Sequence, residues 1–338
     1  LATSNLKTCE AVPLKRLLLS SQDSPSHEHF GEAETVWQKP VAAVGVLLLL
    51  HGCSHSATDF FPASDSCPSC IGLPEELRIT QAALHRNYAV IAISSSDRKN
   101  HKCWQTSFSH RGPSADIQNI KDVLEVWLPR EGIKDLPMYA LGASSGGSFA
   151  LALPVHIPLA GVCAQIAALP LEVFERLFTQ IQEGNSGSTV YPPTYLIHMP
   201  RDTFTRKHVR LAAAYLADQK VPVHQVLIEP RPITATFLAE RLPTFLDQAA
   251  AEQLVQEFKA AGLLGKDSGM LLENPRGSGW REVVAKSPSA SIQKLPTAAD
   301  KSGLSELLNL AWAGHEIVSD GTDAVLAWFE QQGKNTKT

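Results

Sequence analysis

Short apolar runs alternate with amphipathic stretches along most of this chain. Val44–Leu50, Tyr88–Ser94, Met138–Leu141, Gly161–Ala167, Thr194–Met199 and Val223–Ile228 carry few polar interruptions, as strands covered on both faces do. Between them, Glu75–His85, Ala115–Leu128, Ser145–Leu153, Leu171–Gln182 and Thr205–Gln219 read as helices. In Ala115–Leu128 the apolar residues Ile117, Ile120, Val123, Leu124 and Trp127 recur at helical spacing on one face. Strands alternating with helices predict an α/β architecture, a mostly parallel sheet with helices on both faces. Ahead of it, Val12–Leu19 reads as an edge strand and the polar Gln22–Glu34 as a loop or hairpin. Asp97–Pro113 is a long polar loop carrying Cys103-Trp104.

The rhythm breaks after the last strand. Residues 230–312 hold helical patterns such as Ala249–Ala261 and a Gly/Pro-rich middle from Gly262 to Pro296, with no strand for the main sheet. The simplest organisation is a core over 1–229, a helical cap inserted over 230–312, and a return to the core over 313–338. The return contains an amphipathic helix, Ile317–Glu330, and a polar tail after Gly333 that reads as frayed.

The strand Met138–Leu141 runs into Leu-Gly-Ala-Ser-Ser-Gly-Gly-Ser-Phe, Leu141–Phe149, in which Gly142, Ser144 and Gly146 form G-x-S-x-G. Strand, sharp turn and helix is the context of a nucleophile elbow, in which a strained turn lifts a serine hydroxyl above the sheet. Glycines two positions to either side leave room for the close approach of strand and helix. A serine hydroxyl is a weak nucleophile and needs a base, and the base needs a carboxylate to fix its tautomer. In a parallel-sheet hydrolase these follow in the order Ser, Asp or Glu, His.

Asp202 fits the acid, just after the second strand beyond the elbow; as a plain structural residue it would cap the following helix. Glu229, at the end of the last strand, is the other candidate acid. Among twelve histidines, only His315 lies downstream of Asp202, beyond the last strand and before the closing helix. His51 and His55 belong to the loop after Val44–Leu50, where they hold its shape, and His198 faces neighbours within its strand. His101, His110, His208 and His224 have no nameable partner. In His51-Gly52-Cys53, Gly52 permits a turn and the Cys53 amide joins that of Ser145 as an oxyanion hole. Phe60, Phe61, Trp104 and Phe108 are loop aromatics placed to line an acyl or aryl pocket, or to pack the loops down. Arg201 and Arg206 flank the acid loop, either for an anionic group or simply solvated.

Composition narrows the class. With 338 residues, 44% of them hydrophobic, the chain can bury a large core. A charged fraction of 19% and a net charge of −4 give no basic run dense enough for nucleic acid. The longest apolar run, Val41–Leu50, is too short to cross a bilayer. Cys67-x-x-Cys70 suits a local disulfide better than half a zinc site or a redox pair. Cys103 pairs with Cys53 or Cys9, a choice spacing leaves open. The paired cysteines and a first residue that is Leu, not Met, favour a secreted or luminal compartment over a cytoplasmic or organellar one. Neither metal nor cofactor is called for, and oligomeric state is not legible.

Together, Leu47–Phe60, the elbow, the Asp202 loop and the His315 helix resemble the α/β-hydrolase superfamily over most of the chain. His51–Phe60 with Cys103-Trp104 is similar to the polyhydroxybutyrate depolymerase and feruloyl esterase branch. Cys67–Glu76 with Phe237–Pro243 is closer to poorly characterised plant and algal α/β-hydrolases. The resemblance implies a serine esterase that cleaves a small-molecule carboxylic ester without a cofactor. The same machinery serves serine peptidases and thioesterases, and the fold also serves as an inactive binding module. One departure from the family pattern is the distance of His315 from the last strand, which places the cap at the mouth of the site.

Overall fold

The computed structural model describes residues 24–106, 114–184 and 190–335. The Val12–Leu19 strand, Cys9, Phe108, His110 and the last residues of the tail lie outside the described residues. The strands are β1 (Ser26–Phe30), β2 (Ala33–Gln38), β3 (Gly45–Leu50), β4 (Tyr88–Ile93), β5 (Met138–Ala143), β6 (Gly161–Gln165), β7 (Thr194–His198) and β8 (Val223–Leu227). They form one eight-stranded sheet in the order β1-β2-β4-β3-β5-β6-β7-β8. β1–β2 and β2–β4 pair antiparallel, and every later pair is parallel. This is the α/β-hydrolase fold. The hairpin at the start turns at Gly31 in the left-handed region, φ +58°, which a residue with a Cβ adopts only under strain. The β2 strand was not read from the sequence, because Glu34 and Gln38 break its apolar character.

Helices cover both faces. α1 (Pro74–His85), α2 (Ala115–Arg130), α3 (Ser145–Ala152), α4 (Leu171–Gln182) and α5 (Thr203–Asp218) follow successive strands. Side chains alternate across each strand. Val46, Leu48 and Leu50 of β3 meet Ile120, Trp127 and Phe149 on the α2–α3 face. Leu47 and Leu49 turn to the opposite face, with Ile79 and Ala83 of α1. The C-terminal helix packs on this second face, where Phe329 stacks on Tyr139 of β5 with ring centroids 5.0 Å apart.

Residues 230–312 form α6 (Ala235–Arg241), α7 (Gln248–Ala260), α8 (Trp280–Lys286), α9 (Ala290–Gln293) and α10 (Gly303–Trp312). No strand of the main sheet arises there among the described residues. Leu238, Leu254, Phe258, Trp280, Leu307 and Leu310 join the same apolar cluster as Leu47 and Ile79. A buried ion pair, Arg241 Nε to Glu75 Oε1 at 2.9 Å, ties α6 to α1.

The final helix, α11, spans Thr322–Asn335, so it begins later than the periodicity predicts. Residues 317–319 instead make bonds to the core. The Val318 N–H donates to Gln165 Oε1 at 2.8 Å, and Gln165 Nε2 donates to the Val318 carbonyl at 2.9 Å. The Ser319 N–H donates to Glu75 Oε2 at 2.6 Å. Val318 is buried as the periodicity predicts, but on this extended segment rather than on the helix.

Phe329 is fully buried and bridges α11 to the sheet. Phe329→Ala is expected to lower unfolding free energy by about 3–5 kcal/mol, read from the urea midpoint. A loss below about 1 kcal/mol would show that α11 contributes little to the core.

Candidate active site

The elbow begins with register. β5 lies between β3 and β6, so its C-terminal end emerges at the centre of the sheet's rim, where ligands bind in open α/β sheets. Ser144 follows with φ +52° and ψ −118°, a conformation L residues rarely hold without compensation. Its N–H donates to the Gln165 carbonyl at 3.0 Å, locking the turn to β6. A Cβ at Gly142 would strike the Gly146 carbonyl, and one at Gly146 the carbonyls of Leu50 and His51. Both glycines are therefore required by the crossing of β5, α3 and β3.

His315 Nε2 lies 2.9 Å from Ser144 Oγ, and its Nδ1 lies 2.5 Å from Asp202 Oδ2. A carboxylate only accepts, so Nδ1 carries the hydrogen and Nε2 is left as acceptor for the serine hydroxyl. One Asp202 carboxylate makes two contacts. Oδ2 faces the imidazole, while Oδ1 accepts the Thr205 N–H at 3.0 Å and caps α5. Burial works to raise the Asp202 pKa, but hydrogen bonds from His315 and Thr205 outweigh it and hold the group below the usual carboxylate range. Glu229 is exposed after β8.

Clamps that the sequence reading did not foresee hold His315 in place. α10 ends with Ala313 in the left-handed region, φ +53°. The Arg201 N–H donates to the Ala313 carbonyl at 3.2 Å, and Arg201 Nη1 to the Trp312 carbonyl at 2.8 Å. The Arg201 guanidinium also lies 3.5 Å from the centroid of the Trp312 ring, a cation–π contact. Arg201, though exposed to solvent, thus fastens the Asp202 loop to the segment that carries His315. Its only sequence signal was its place beside Asp202.

On the other side, Cys53 is disulfide-bonded to Cys103. This settles the pairing that spacing left open; Cys67 and Cys70 form the local disulfide. The Trp104 N–H donates to Ser145 Oγ at 3.4 Å, and its indole Nε1 to the His51 carbonyl at 3.0 Å. The Cys53 and Ser145 amides have no protein acceptor among the described residues. The left-handed residue of this loop is Ser54, at φ +71°. A Cβ on Gly52 would sit 3.7 Å from Ser144 Cβ, an ordinary contact, and the Gly52 carbonyl accepts the His55 N–H at 3.3 Å to close the turn.

His51 is buried. The Ser95 N–H donates to its Nε2 at 3.0 Å, and its Nδ1 lies 2.6 Å from the Gly52 carbonyl. Burial pushes its pKa down to about 3, so the ring is neutral. His55 sits 2.8 Å from Asp59. Burial alone would lower its pKa, but the Asp59 bond and the charges of Glu76, Asp59 and Glu316 raise it to about 9. His198 is buried in β7 beside Gln225, 2.8 Å away.

A cleft of about 440 Å³ opens beside these groups, lined by Cys53, Ser144, Ile166, His315 and Ile317, among others. The expectation that Phe60, Phe61 and Trp104 line it does not hold. Phe60 and Phe61 are fully buried in the core, and Trp104 stacks on Phe149 at 4.6 Å. These aromatics are loop anchors, because their rings find apolar partners below the rim. The inner end of the cleft is acidic instead, with Glu76 of α1, Glu306 of α10 and Glu316. Burial raises the pKa of all three, that of Glu76 to about 8. No group of three His, Cys, Asp or Glu among the described residues has the geometry to hold a metal ion. No described helix is long and apolar enough to cross a membrane.

No protein-family profile and no curated protein matches this chain. Solved structures do match. A thermostable esterase shares 15% identity at a TM-score of 0.40 over 65% of this chain, which spans 58% of that protein's length. A carboxylesterase from Mesorhizobium loti shares 14% at 0.43, over 61% of this chain and 90% of its own. The capsule O-acetyltransferase of Neisseria meningitidis serogroup A shares 11% at 0.39, over 60% and 85%. Likenesses this distant carry no argument about chemistry.

Burial of neutral His51 has a measurable consequence. The unfolded chain protonates this imidazole near its ordinary value of 6.5, while the folded chain holds it neutral down to about 3. Between those values the unfolded state binds the extra proton, so this group makes stability rise with pH. His51→Gln is expected to flatten the rise of unfolding free energy between about pH 4 and pH 6 by on the order of 1 kcal/mol per pH unit. Urea titrations across that range check it, and an unchanged slope would contradict a neutral ring.

Proposed function

We propose that the protein is a serine hydrolase that cleaves a carboxylic ester through an acyl-enzyme. The observation that carries this reading is one imidazole, His315, between Ser144 Oγ and Asp202 Oδ2, with the serine at the strained elbow. Ser144 attacks the ester carbonyl as His315 Nε2 takes its proton, and the imidazolium then protonates the leaving alcohol. Asp202 keeps the imidazole in the required tautomer and stabilises its cation. The developing oxyanion is held by the Cys53 and Ser145 amides, the latter at the N-terminus of α3. Water then repeats the sequence on the acyl-enzyme.

The disulfide between Cys53 and Cys103 supports this assignment of the oxyanion loop by fixing one donor to the loop that also bonds Ser145. Two disulfides favour an oxidising compartment, secreted or luminal. Residues 1–229 and 313–338 serve as the catalytic core. Residues 230–312 serve as the cap that shapes the mouth, to which Arg276, Arg281, Ala299 and Ser305 contribute.

The test is turnover of aryl acetates with labelling by a fluorophosphonate. Wild type is expected to hydrolyse the ester and to be labelled on Ser144. Ser144→Ala should lose labelling and about 10³-fold or more of kcat, and Asp202→Asn about 10³–10⁴-fold. Absence of labelling in folded wild type, or hydrolysis of a matched amide faster than the ester, would overturn the reading.

A further inference from the structure

Two neighbouring residues of α1 show what the chain does with a carboxyl meant only for structure. Glu75 is buried and well partnered: Arg241 Nε donates to Oε1, and the Ser319 N–H and Oγ both donate to Oε2. Glu76, 3% exposed, keeps Oε2 buried without a hydrogen-bond partner among the described residues. Glu306, 6% exposed, does the same with Oε2, although its Oε1 accepts the Glu75 N–H at 2.7 Å. Both residues line the cleft that holds Ser144, and Glu316 lines it with them. Orphaned buried carboxyl oxygens are costly in a folded protein and point to a partner that arrives from outside.

The charge around them says what that partner is. No described cation is within ion-pair distance of Glu76 or Glu306. His55 is engaged by Asp59 at 2.8 Å, and Arg276, 57% exposed, lies 3.9 Å from Glu316. The Arg281 Nε–H donates to the Thr297 carbonyl at 2.9 Å. Three carboxyls thus share one cleft with His55, Arg276 and Arg281, none of which makes an ion pair with Glu76 or Glu306. Burial raises the pKa of all three, and repulsion from neighbouring carboxylates adds to it for Glu76 and Glu306, so in the empty cleft these two groups hold protons near neutral pH. A neutral hydroxyl would satisfy the orphaned oxygens but leave the carboxyls protonated, whereas a cation draws out their charged form and releases those protons. A quaternary ammonium would compensate charge but bring no N–H donors.

We propose that the inner end of the cleft is a subsite for an organic cation with N–H donors, a primary ammonium or a guanidinium, carried by the ester substrate. Glu76 and Glu306 receive its N–H groups, and Glu316 adds charge. That the cation belongs to a substrate rests on reading Ser144 as the nucleophile. The binding site itself does not.

The experiment therefore has two arms. In the first, calorimetry measures binding of n-butylammonium and n-butanol to wild type and to Ser144→Ala. Butylammonium is expected to bind at least tenfold more tightly than butanol to both, and the preference should fall to about onefold in Glu76→Gln or Glu306→Gln. In the second, aryl 4-aminobutyrate and the isosteric aryl pentanoate are compared by kcat/KM. The cationic ester should be favoured at least tenfold by wild type, with the ratio near one in the same variants. Each Gln variant keeps the shape and an acceptor, and its thermal midpoint reports folding. Should one fail to fold, the other carries the test. Equal binding of butylammonium and butanol, tighter binding of a neutral polyol such as erythritol, or a ratio unmoved in both variants would overturn the proposal. If preferential binding holds but neither ester turns over, the nucleophile assignment fails and the cation site stands. If both esters turn over equally and no preference is bound, the reverse follows.

Discussion

The chain must come back. After β8 it leaves the sheet for more than eighty residues and then returns to the central rim, where His315 meets Ser144 and Asp202. The Gln165 amide makes that return specific. Its side chain closes both hydrogen bonds of Val318, while the carbonyl of the same residue holds the Ser144 N–H. One residue at the end of β6 therefore registers both the histidine segment and the elbow. Arg201 does the matching task for the acid loop, holding the carbonyls of Trp312 and Ala313. These two polar clamps, the first of them buried, hold the site in register from both sides.

Much of the fold could be read from the chain because its signals are local. Buried parallel strands such as β3 and β4 are unbroken apolar runs, and the α2 face repeats at helical spacing. G-x-S-x-G also announces itself, since each glycine answers a backbone clash within a few residues. Chain order singled out His315 among twelve histidines, and the fold brings its imidazole between Ser144 and Asp202. What could not be read depends on contacts between distant segments. The clamp at Val318 delays α11, yet nothing in residues 317–321 refuses a helix except Gly321 at φ +88°. The three aromatics were misplaced for the same reason. A ring on a loop is equally at home lining a pocket or anchoring the loop, and the deciding partners, such as Phe149 beneath Trp104, are far away in sequence.

The cleft also shows why residue type alone misleads about polarity. Aromatic loops suggested an apolar pocket, whereas α1 and α10 bring carboxyls to its inner end. Glu75 and Glu76 are adjacent on the first turn of α1, and no sequence pattern separates them. Only the position of Arg241 and Ser319 makes the first a structural fastener and leaves the second facing the cleft.

The long excursion before His315 packs α6 to α9 on one another and α10 on α1. Leu254, Phe258, Trp280 and Leu307 pack in one apolar cluster with Leu47 of β3 and Ile79 of α1, and Arg241 is paired to Glu75 beneath them. One buried carboxylate, Glu75, therefore secures both ends of the excursion: it pairs with Arg241 soon after the chain leaves the sheet and accepts the Ser319 N–H where the chain comes back.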